Sequence, residues 1–228
     1  MELGRATAFM GGLAVIAFAL VGPIDSESAR VLSWHMAQHL LLVSVAAPLL
    51  AIGRPVALML DLISPGFALK WRWDWRGPLA TALIGGVSLT VLLGWHVPAL
   101  YQMALAHEPV HIVEHATLTG SSMLLWANLI GRAQIGASVV WLFVITLPMT
   151  AFGVAMTIAR TPWYSDYVTG SRAAAVRDQQ LAGVIMWAFG GVAALVGAVS
   201  MFAAWLVGAS SVDVADDALV PATKGLRP

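Results

Sequence analysis

Long apolar segments make up most of this chain, and they restrict it to folds in which helices cross a lipid bilayer. About 20 consecutive apolar residues are needed to cross the hydrocarbon core of a membrane. Hydrophobic residues make up 59% of the sequence and charged residues only 11%, against about 25% charged residues in ordinary soluble domains. The segments predicted to span the membrane are residues 5–22, 31–53, 79–98, 109–131, 135–159 and 181–208.

The pattern predicts an all-α protein, a polytopic membrane helix bundle of about six transmembrane helices. We expect residues 1–208 to form a single bundle domain and the polar residues 209–228 to form a disordered cytoplasmic tail. The first segment has some features of a signal peptide. Its apolar stretch is longer than the usual hydrophobic region of a signal peptide, so we interpret it as a membrane helix.

Charge and cysteine content exclude several classes of function. The chain has 12 basic and 12 acidic residues and no net charge, so a nucleic-acid partner has no electrostatic support. It contains no cysteine, which excludes disulfides, thiolate metal sites and thiol catalysis.

The distribution of lysine and arginine predicts the orientation in the membrane. Basic residues are more frequent on the cytoplasmic side of bacterial membrane proteins. The loop at 54–76 and the two termini carry most of them here, so we expect both termini and this loop to be cytoplasmic. Residues 70–76 (KWRWDWR) mix cations with indole rings, as membrane-surface anchors do.

With this orientation, all six histidines lie near the outer ends of the predicted helices. They form two pairs at a spacing of four residues, His35 with His39 and His111 with His115, and two single residues, His96 and His107. Residues four apart share one face of a helix. Imidazole is the commonest metal ligand, and polar groups inside a membrane mark functional sites. The sequence therefore predicts shallow metal binding at the outer surface and leaves open whether the histidines form one site or two.

Candidate ligands differ in how well their positions suit this site. We expect His35, His39, His96, His111 and His115 to bind the metal, with Met36, Asp178 and Met186 as further candidates and Glu114 and Gln179 as orienting partners. His107 precedes Glu108-Pro109, outside the regular helix, and lines the access to the site in this interpretation. Imidazole and thioether ligands favour copper, as Cu(I) or Cu(II), over zinc or haem.

Residues 111–115 (HIVEH) also match the H-x-x-E-H pattern of a class of zinc peptidases. In those enzymes the glutamate acts as general base for a zinc-bound water. The match is short, and the sequence offers no obvious downstream acidic ligand other than Asp178. A zinc peptidase therefore remains an alternative, behind a role in which Glu114 orients an imidazole.

Several blocks of the sequence resemble the CtaG-like family of polytopic cytochrome c oxidase assembly factors. The resemblance covers residues 5–205, nearly the whole chain. The blocks are residues 33–42 (SWHMAQHLLL), 47–50 (APLL), 53–55 (GRP), 95–101 (WHVPALY), 111–115 (HIVEH) and 178–187 (DQQLAGVIMW). The resemblance implies a bacterial inner-membrane protein that helps to deliver copper to a haem-copper oxidase. Members of the family commonly have seven helices, one more than the six predicted here.

The expected function is therefore non-catalytic metal capture and transfer. The partners would be the lipid bilayer, a periplasmic copper donor and a subunit of the oxidase, while the oligomeric state is left open. Alternatives are a membrane metalloenzyme or haem or copper redox protein, and a copper transporter. The transporter is less favoured because the third to fifth segments offer only isolated polar residues below the site.

Overall fold

The structure, a computed structural model, describes residues 2–53, 77–130, 135–168 and 170–219. These residues are almost entirely helical and contain no strand, which confirms the predicted all-α fold. The helices are α1 (Glu2–Val21), α2 (Pro23–Ser28), α3 (Leu32–Leu40), α4 (Ala47–Gly53), α5 (Pro78–Trp95), α6 (Pro98–Ala106), α7 (Glu108–Leu129), α8 (Ile135–Ile158), α9 (Arg172–Val184) and α10 (Gly190–Leu219).

Two π-helical segments join consecutive helices into longer ones. Leu41–Ala46 connects α3 to α4, and Ile185–Phe189 connects α9 to α10. Isolated π-helical turns occur frequently at functional sites, because the wider turn redirects side chains that a regular helix would place elsewhere. Both segments lie close to predicted site residues, since the first begins two residues after His39 and the second contains Met186.

Five helical stretches in the described residues are long and apolar enough to cross a membrane. They are Leu3–Val21, Leu32–Gly53, Pro78–Trp95, Ile135–Ile158 and Arg172–Val207, and they coincide with five of the six predicted segments. The remaining segment forms α7, which has 22 residues. This helix is long enough to span, but His111, Glu114 and His115 make it less apolar than the other five.

The last helix continues to Leu219, beyond the predicted end of the bundle at residue 208. The division into a bundle domain and a disordered tail stays a prediction. Residues 70–76, the predicted surface anchor, and the basic residues of the loop at 54–76 lie outside the described residues.

The helix that carries the first histidine pair is the most enclosed of the five spans. Its N-terminal part, α3, packs against α9, and its C-terminal part, α4, packs against α1 and α7. Helix α7 also contacts α5, while α8 packs along α9 and α10. The first histidine pair is therefore surrounded by other helices instead of lipid.

Helices α8 and α9 approach each other closely because glycines face each other at their crossing. A Cβ atom on Gly183 would lie 2.5 Å from the carbonyl oxygen of Gly153 and 2.8 Å from the backbone nitrogen of Thr157. Small residues at such crossings allow close helix contact in membranes, where packing rather than hydrophobic burial drives association. This crossing fixes α9 beside the histidine-bearing α3.

Candidate metal centre

Four buried side chains from two helices converge at the centre of the bundle. His35 and His39 come from α3, and Glu114 and His115 come from α7. One ligand-type atom from each lies within 4.8 Å of all the others. We call these four residues the ligand cluster. His35 and His39 share one face of α3 because they are four residues apart, whereas Glu114 and His115 are consecutive in α7 and reach the cluster from neighbouring directions around the helix.

The separations within the ligand cluster are of the size that a shared metal ion requires. The Nε2 atom of His39 lies 3.7 Å from Oε1 of Glu114, and the Nε2 atom of His35 lies 3.9 Å from Oε2 of Glu114. Nε2 of His35 and Nε2 of His39 are 2.9 Å apart. Ligands about 2.0–2.1 Å from one tetrahedral metal ion lie about 3.3 Å from each other. Small side-chain adjustments would therefore bring these atoms onto one ion.

Several polar atoms of the cluster are buried without a hydrogen-bond partner among the described residues. They are Nδ1 of His39, Nε2 of His115 and both carboxylate oxygens of Glu114. Buried polar groups are normally paired, because leaving one unpaired in an apolar interior costs free energy. A bound cation would satisfy the carboxylate of Glu114 and Nε2 of His115 together, so the donor set fits a metal ion.

A tyrosine hydroxyl fixes the orientation and tautomer of His35. The hydroxyl of Tyr167 donates to the carbonyl oxygen of Ser28 at 2.8 Å, so its oxygen accepts the hydrogen bond from Nδ1 of His35 at 3.0 Å. With the proton on Nδ1, the lone pair of His35 is on Nε2, the atom that faces Glu114. Hydrogen bonds of this kind orient metal-binding imidazoles in known sites.

All three tyrosines of the chain gather beside the ligand cluster. The hydroxyl of Tyr101 lies 3.3 Å from that of Tyr167, and the hydroxyl of Tyr164 donates to the carbonyl oxygen of His96 at 2.9 Å. Burial raises the pKa of Tyr164 and Tyr167 well above the ordinary value for a phenol. Both therefore remain protonated donors at neutral pH.

The remaining histidines lie at increasing distance from the ligand cluster. His111 is half-buried, with its ring centre 4.2 Å from that of His115 and 5.5 Å from that of His35. His96 is buried, 6.4 Å from His39 between ring centres, and its Nδ1 donates to the carbonyl oxygen of Leu92 at 2.6 Å. His107 is exposed at the start of α7. The structure thus brings the five predicted histidine ligands into one region and leaves His107 at its edge.

Two of the predicted polar residues support the site from α9. The carboxylate of Asp178 accepts hydrogen bonds from the backbone nitrogens of Leu32 and Ser33 at 2.8 and 3.3 Å, so it caps the start of α3. The amide of Gln179 accepts from the backbone nitrogen of Trp163 and donates to the carbonyl oxygen of Thr161. Asp178 therefore holds the helix that carries His35 and His39, and Gln179 holds the loop before the tyrosines.

Glu114 is positioned as a potential metal ligand and not only as a residue that orients an imidazole. Both of its oxygens face imidazole nitrogens of the first histidine pair, so it belongs to the potential ligand set itself. Sequence reasoning did not single out Tyr101, Tyr164 and Tyr167 as site residues. Tyr101 ends one of the family blocks, but no periodic signal in the loop before α9 indicates that Tyr164 and Tyr167 turn inward.

Two cavities border the ligand cluster, each at a different histidine. The larger, of about 670 Å³, is lined by His111 and His115 and by the acidic residues Asp25 and Glu108. We call it the acidic vestibule. The smaller, of about 120 Å³, is lined by His39 and His96 and by the methionines Met36, Met149 and Met186. We call it the methionine chamber. The cluster contributes a histidine to the wall of each cavity.

Fold and site together define a polytopic helical membrane protein with a buried histidine and glutamate group able to hold a metal ion. Its sequence matches the family model of the cytochrome c oxidase caa3 assembly factor (Caa3_CtaG) over residues 1–207. The chain belongs to this family, which confirms the resemblance seen in the sequence. No curated protein and no solved structure matches it.

Proposed function

We propose that this protein binds copper at the ligand cluster and helps to load it into a haem-copper cytochrome c oxidase. Membership of a family of oxidase assembly factors supports the assembly role and a non-catalytic one. The observation that carries the metal proposal is the convergence of His35, His39, Glu114 and His115 within 4.8 Å in a buried site. The chain has no cysteine, so its ligands would be imidazole, carboxylate and thioether groups.

Copper is favoured over zinc and haem by the groups that surround the cluster. Imidazole binds copper, zinc and iron alike, while thioether sulfur selects Cu(I). The methionine chamber places three thioethers next to His39. A haem would need space for a macrocycle between axial histidines from different helices, whereas the ring centres of His39 and His115 are only 5.2 Å apart.

The acidic vestibule supports capture of a cation from outside the bundle. Its wall contains Asp25 and Glu108 beside His111 and His115, of which His115 belongs to the ligand cluster. Carboxylates near an opening attract cations and raise their local concentration. In this proposal the vestibule faces the periplasm, the termini are cytoplasmic, and the protein resides in a bacterial inner membrane. Copper would come from a periplasmic donor and leave to an oxidase subunit.

Metal analysis of the purified protein tests the proposed site directly. Detergent-purified protein, exposed to copper, zinc and iron together, is expected to retain copper in preference to the other two metals. The double variant His39→Ala/His115→Ala should lose this copper, while His107→Ala, a control at an exposed histidine, should retain it. Copper bound equally by the double variant, or iron with a haem spectrum, would contradict the proposal.

The assembly role needs a separate measurement in cells. A strain that lacks the protein should contain oxidase with reduced copper and reduced activity, and the wild-type gene and His107→Ala should restore both. We expect His39→Ala/His115→Ala to restore neither, although its protein accumulates in the membrane. Restoration of a fully copper-loaded oxidase by the double variant would separate assembly from metal binding and overturn this part of the proposal.

A further inference from the structure

The methionine chamber borders the ligand cluster at His39 and shares no lining residue with the acidic vestibule. Its three methionines come from three separate helical segments: Met36 from α3, Met149 from α8 and Met186 from the second π-helical segment. Its volume is about 120 Å³, large enough for an ion but small for an organic cofactor, since ligand pockets are about 300–1,000 Å³.

The lining of the chamber is chemically different from that of the ligand cluster. None of the described residues around the cavity is acidic. Apart from the methionines and histidines, the side chains that line it are aliphatic or carry a hydroxyl group, as in Ser44, Thr146 and Thr150. Removing a charge from water costs more free energy as the charge increases, unless counter-charges are present. A neutral, sulfur-rich site therefore discriminates against divalent ions and favours a soft monovalent ion such as Cu(I).

Two histidines complete the chamber as ligands with a free nitrogen. The Nδ1 proton of His96 is donated to the carbonyl oxygen of Leu92, which leaves the lone pair on Nε2. His39 belongs to the ligand cluster and also lines the chamber. The ring centres of His39 and His96 are 6.4 Å apart. An ion that leaves the cluster through His39 therefore meets imidazole and thioether groups in the chamber.

The π-helical segments give independent support, because both contribute to the chamber wall. The segment Leu41–Ala46 supplies Val43 and Ser44, and Ile185–Phe189 supplies Met186. A π-helical turn is less stable than an α-helical one and is retained mostly where function requires it. Here two such turns, in different parts of the sequence, border the same small cavity.

We propose that the methionine chamber is a second metal site, which binds Cu(I) through thioether and imidazole groups and exchanges it with the ligand cluster through His39. The exchange replaces one set of ligands by another and leaves the oxidation state of the ion unchanged. The inference rests on the proposed copper-binding function for the origin of the ion. The site itself is testable without copper, because Ag(I) has the same charge and the same preference for sulfur.

The test compares the triple variant Met36→Leu/Met149→Leu/Met186→Leu with the wild type and with Met156→Leu. Leucine replaces methionine in a protein core with little change in volume. Met156 is a matched control, because it is fully buried on α8 and is not among the side chains that line the chamber. Ag(I) affinity in detergent should fall about tenfold or more in the triple variant, since thioether ligands provide the preference for soft ions. Met156→Leu should leave the affinity unchanged.

X-ray absorption of Ag(I)-loaded protein should show sulfur ligands in the wild type and lose them in the triple variant. Zn(II) binding to the ligand cluster should be the same in both. Unchanged Ag(I) affinity, a spectrum without sulfur, or an equal loss in Met156→Leu would overturn the inference. His115→Ala separates the two proposals, because His115 does not line the chamber. This variant should lose Zn(II) and keep Ag(I), whereas loss of both ions would show one site instead of two.

Discussion

The two halves of helix α7 differ in what they bury: the first half buries polar groups, and the second half buries mainly apolar ones. Its first half places Glu114 and His115 in the ligand cluster, where both carboxylate oxygens and Nε2 of His115 have no hydrogen-bond partner in the described chain. Its second half places Leu118, Leu125, Trp126 and Leu129 in a continuous apolar core with residues of α4, α5 and α8.

Buried polar groups near this apolar core are mostly paired. Ser88 donates to the carbonyl oxygen of Ser121 at 2.8 Å, and Ser138 donates to the carbonyl oxygen of Leu129 at 3.0 Å. The hydroxyl of Ser122 is an exception among the described residues, but an unpaired hydroxyl costs far less than an unpaired carboxylate. Buried polar atoms without a hydrogen-bond partner are thus concentrated in the described residues at the proposed metal site. The remaining helices stabilise the bundle by packing.

Among the substitutions that test this difference, Glu114→Gln should have the largest effect, which is on metal affinity. The substitution keeps the size of the side chain but removes the anionic oxygens that face Nε2 of His35 and of His39. We expect the affinity for Cu(II) and Zn(II) to fall about a hundredfold or more, at least as much as the loss of an orienting partner costs in known sites. Competition with a chelator of known affinity measures this change.

A control for this variant is Glu108→Gln, which removes a carboxylate from the exposed rim of the vestibule. It should slow metal uptake at low salt and leave the equilibrium affinity nearly unchanged, because long-range attraction acts mainly on association rates. Equal affinities for wild type and Glu114→Gln would mean that Glu114 is not a ligand and would remove the main difference between the two halves of α7.

The fold and the histidine clustering were predictable because they depend on local sequence patterns. Long apolar segments predict membrane helices, and pairs such as His35/His39 predict a shared helix face. The segment that forms α7 was also predicted to be a helix, although its polar residues leave it outside the five stretches that are apolar enough to span a membrane. Successive helices cross the membrane in alternate directions. The three helix ends that carry the histidines are therefore expected on the same side of the membrane and at similar depth.

Contacts between segments far apart in the sequence were not predictable. Asp178 was a candidate ligand because of its position near a helix end, but its carboxylate caps α3, 146 residues earlier in the sequence. Tyr167 contacts His35 across 132 residues. Both contacts depend on the close crossing of α8 and α9 and on the course of the loop between them, neither of which has a periodic signal in a single sequence.

A smaller effect is expected from Tyr167→Phe, which removes the acceptor for Nδ1 of His35. Without it the imidazole can change tautomer and place its proton on Nε2, the atom that faces Glu114. We expect metal affinity to fall about 10- to 100-fold, the usual cost of losing an orienting hydrogen bond.

Tyr164→Phe is the matched control for this change, since it removes a buried hydrogen bond to the carbonyl oxygen of His96 without contacting His35. Both variants should lower the Tm of the metal-free protein, Tyr167→Phe by more because its hydroxyl makes more hydrogen bonds, and only Tyr167→Phe should weaken metal binding. Equal metal affinities in the two variants would assign Tyr167 a purely structural role.

At the apolar end of the bundle, the neighbouring glycines Gly85 and Gly86 test whether stability there depends on packing. A Cβ atom on Gly85 would lie 2.8 Å from the ring of Trp141, whereas one on Gly86 would meet no atom within 4 Å. Gly85→Ala should destabilise the protein by about 1–3 kcal/mol through overpacking. Gly86→Ala should stabilise it by up to about 1 kcal/mol through helix propensity. Thermal unfolding in detergent, followed by tryptophan fluorescence, measures both, and equal shifts would contradict the close contact with Trp141.

The smallest effects should differ in sign between the apolar core and the ligand cluster. Ser88→Ala removes a paired hydroxyl near the apolar core and should lower stability by about 0.6 kcal/mol, the average for an interhelical hydrogen bond in a membrane protein. Glu114→Leu removes a carboxylate that is buried without a hydrogen-bond partner among the described residues, so it should raise the Tm of the metal-free protein. With metal present, the wild type should gain stability and Glu114→Leu should not, because only an ion bound to the native state shifts the unfolding equilibrium. A lower Tm for metal-free Glu114→Leu would show that the carboxylate stabilises the fold, and the contrast between a ligand site and a packed core would then fail.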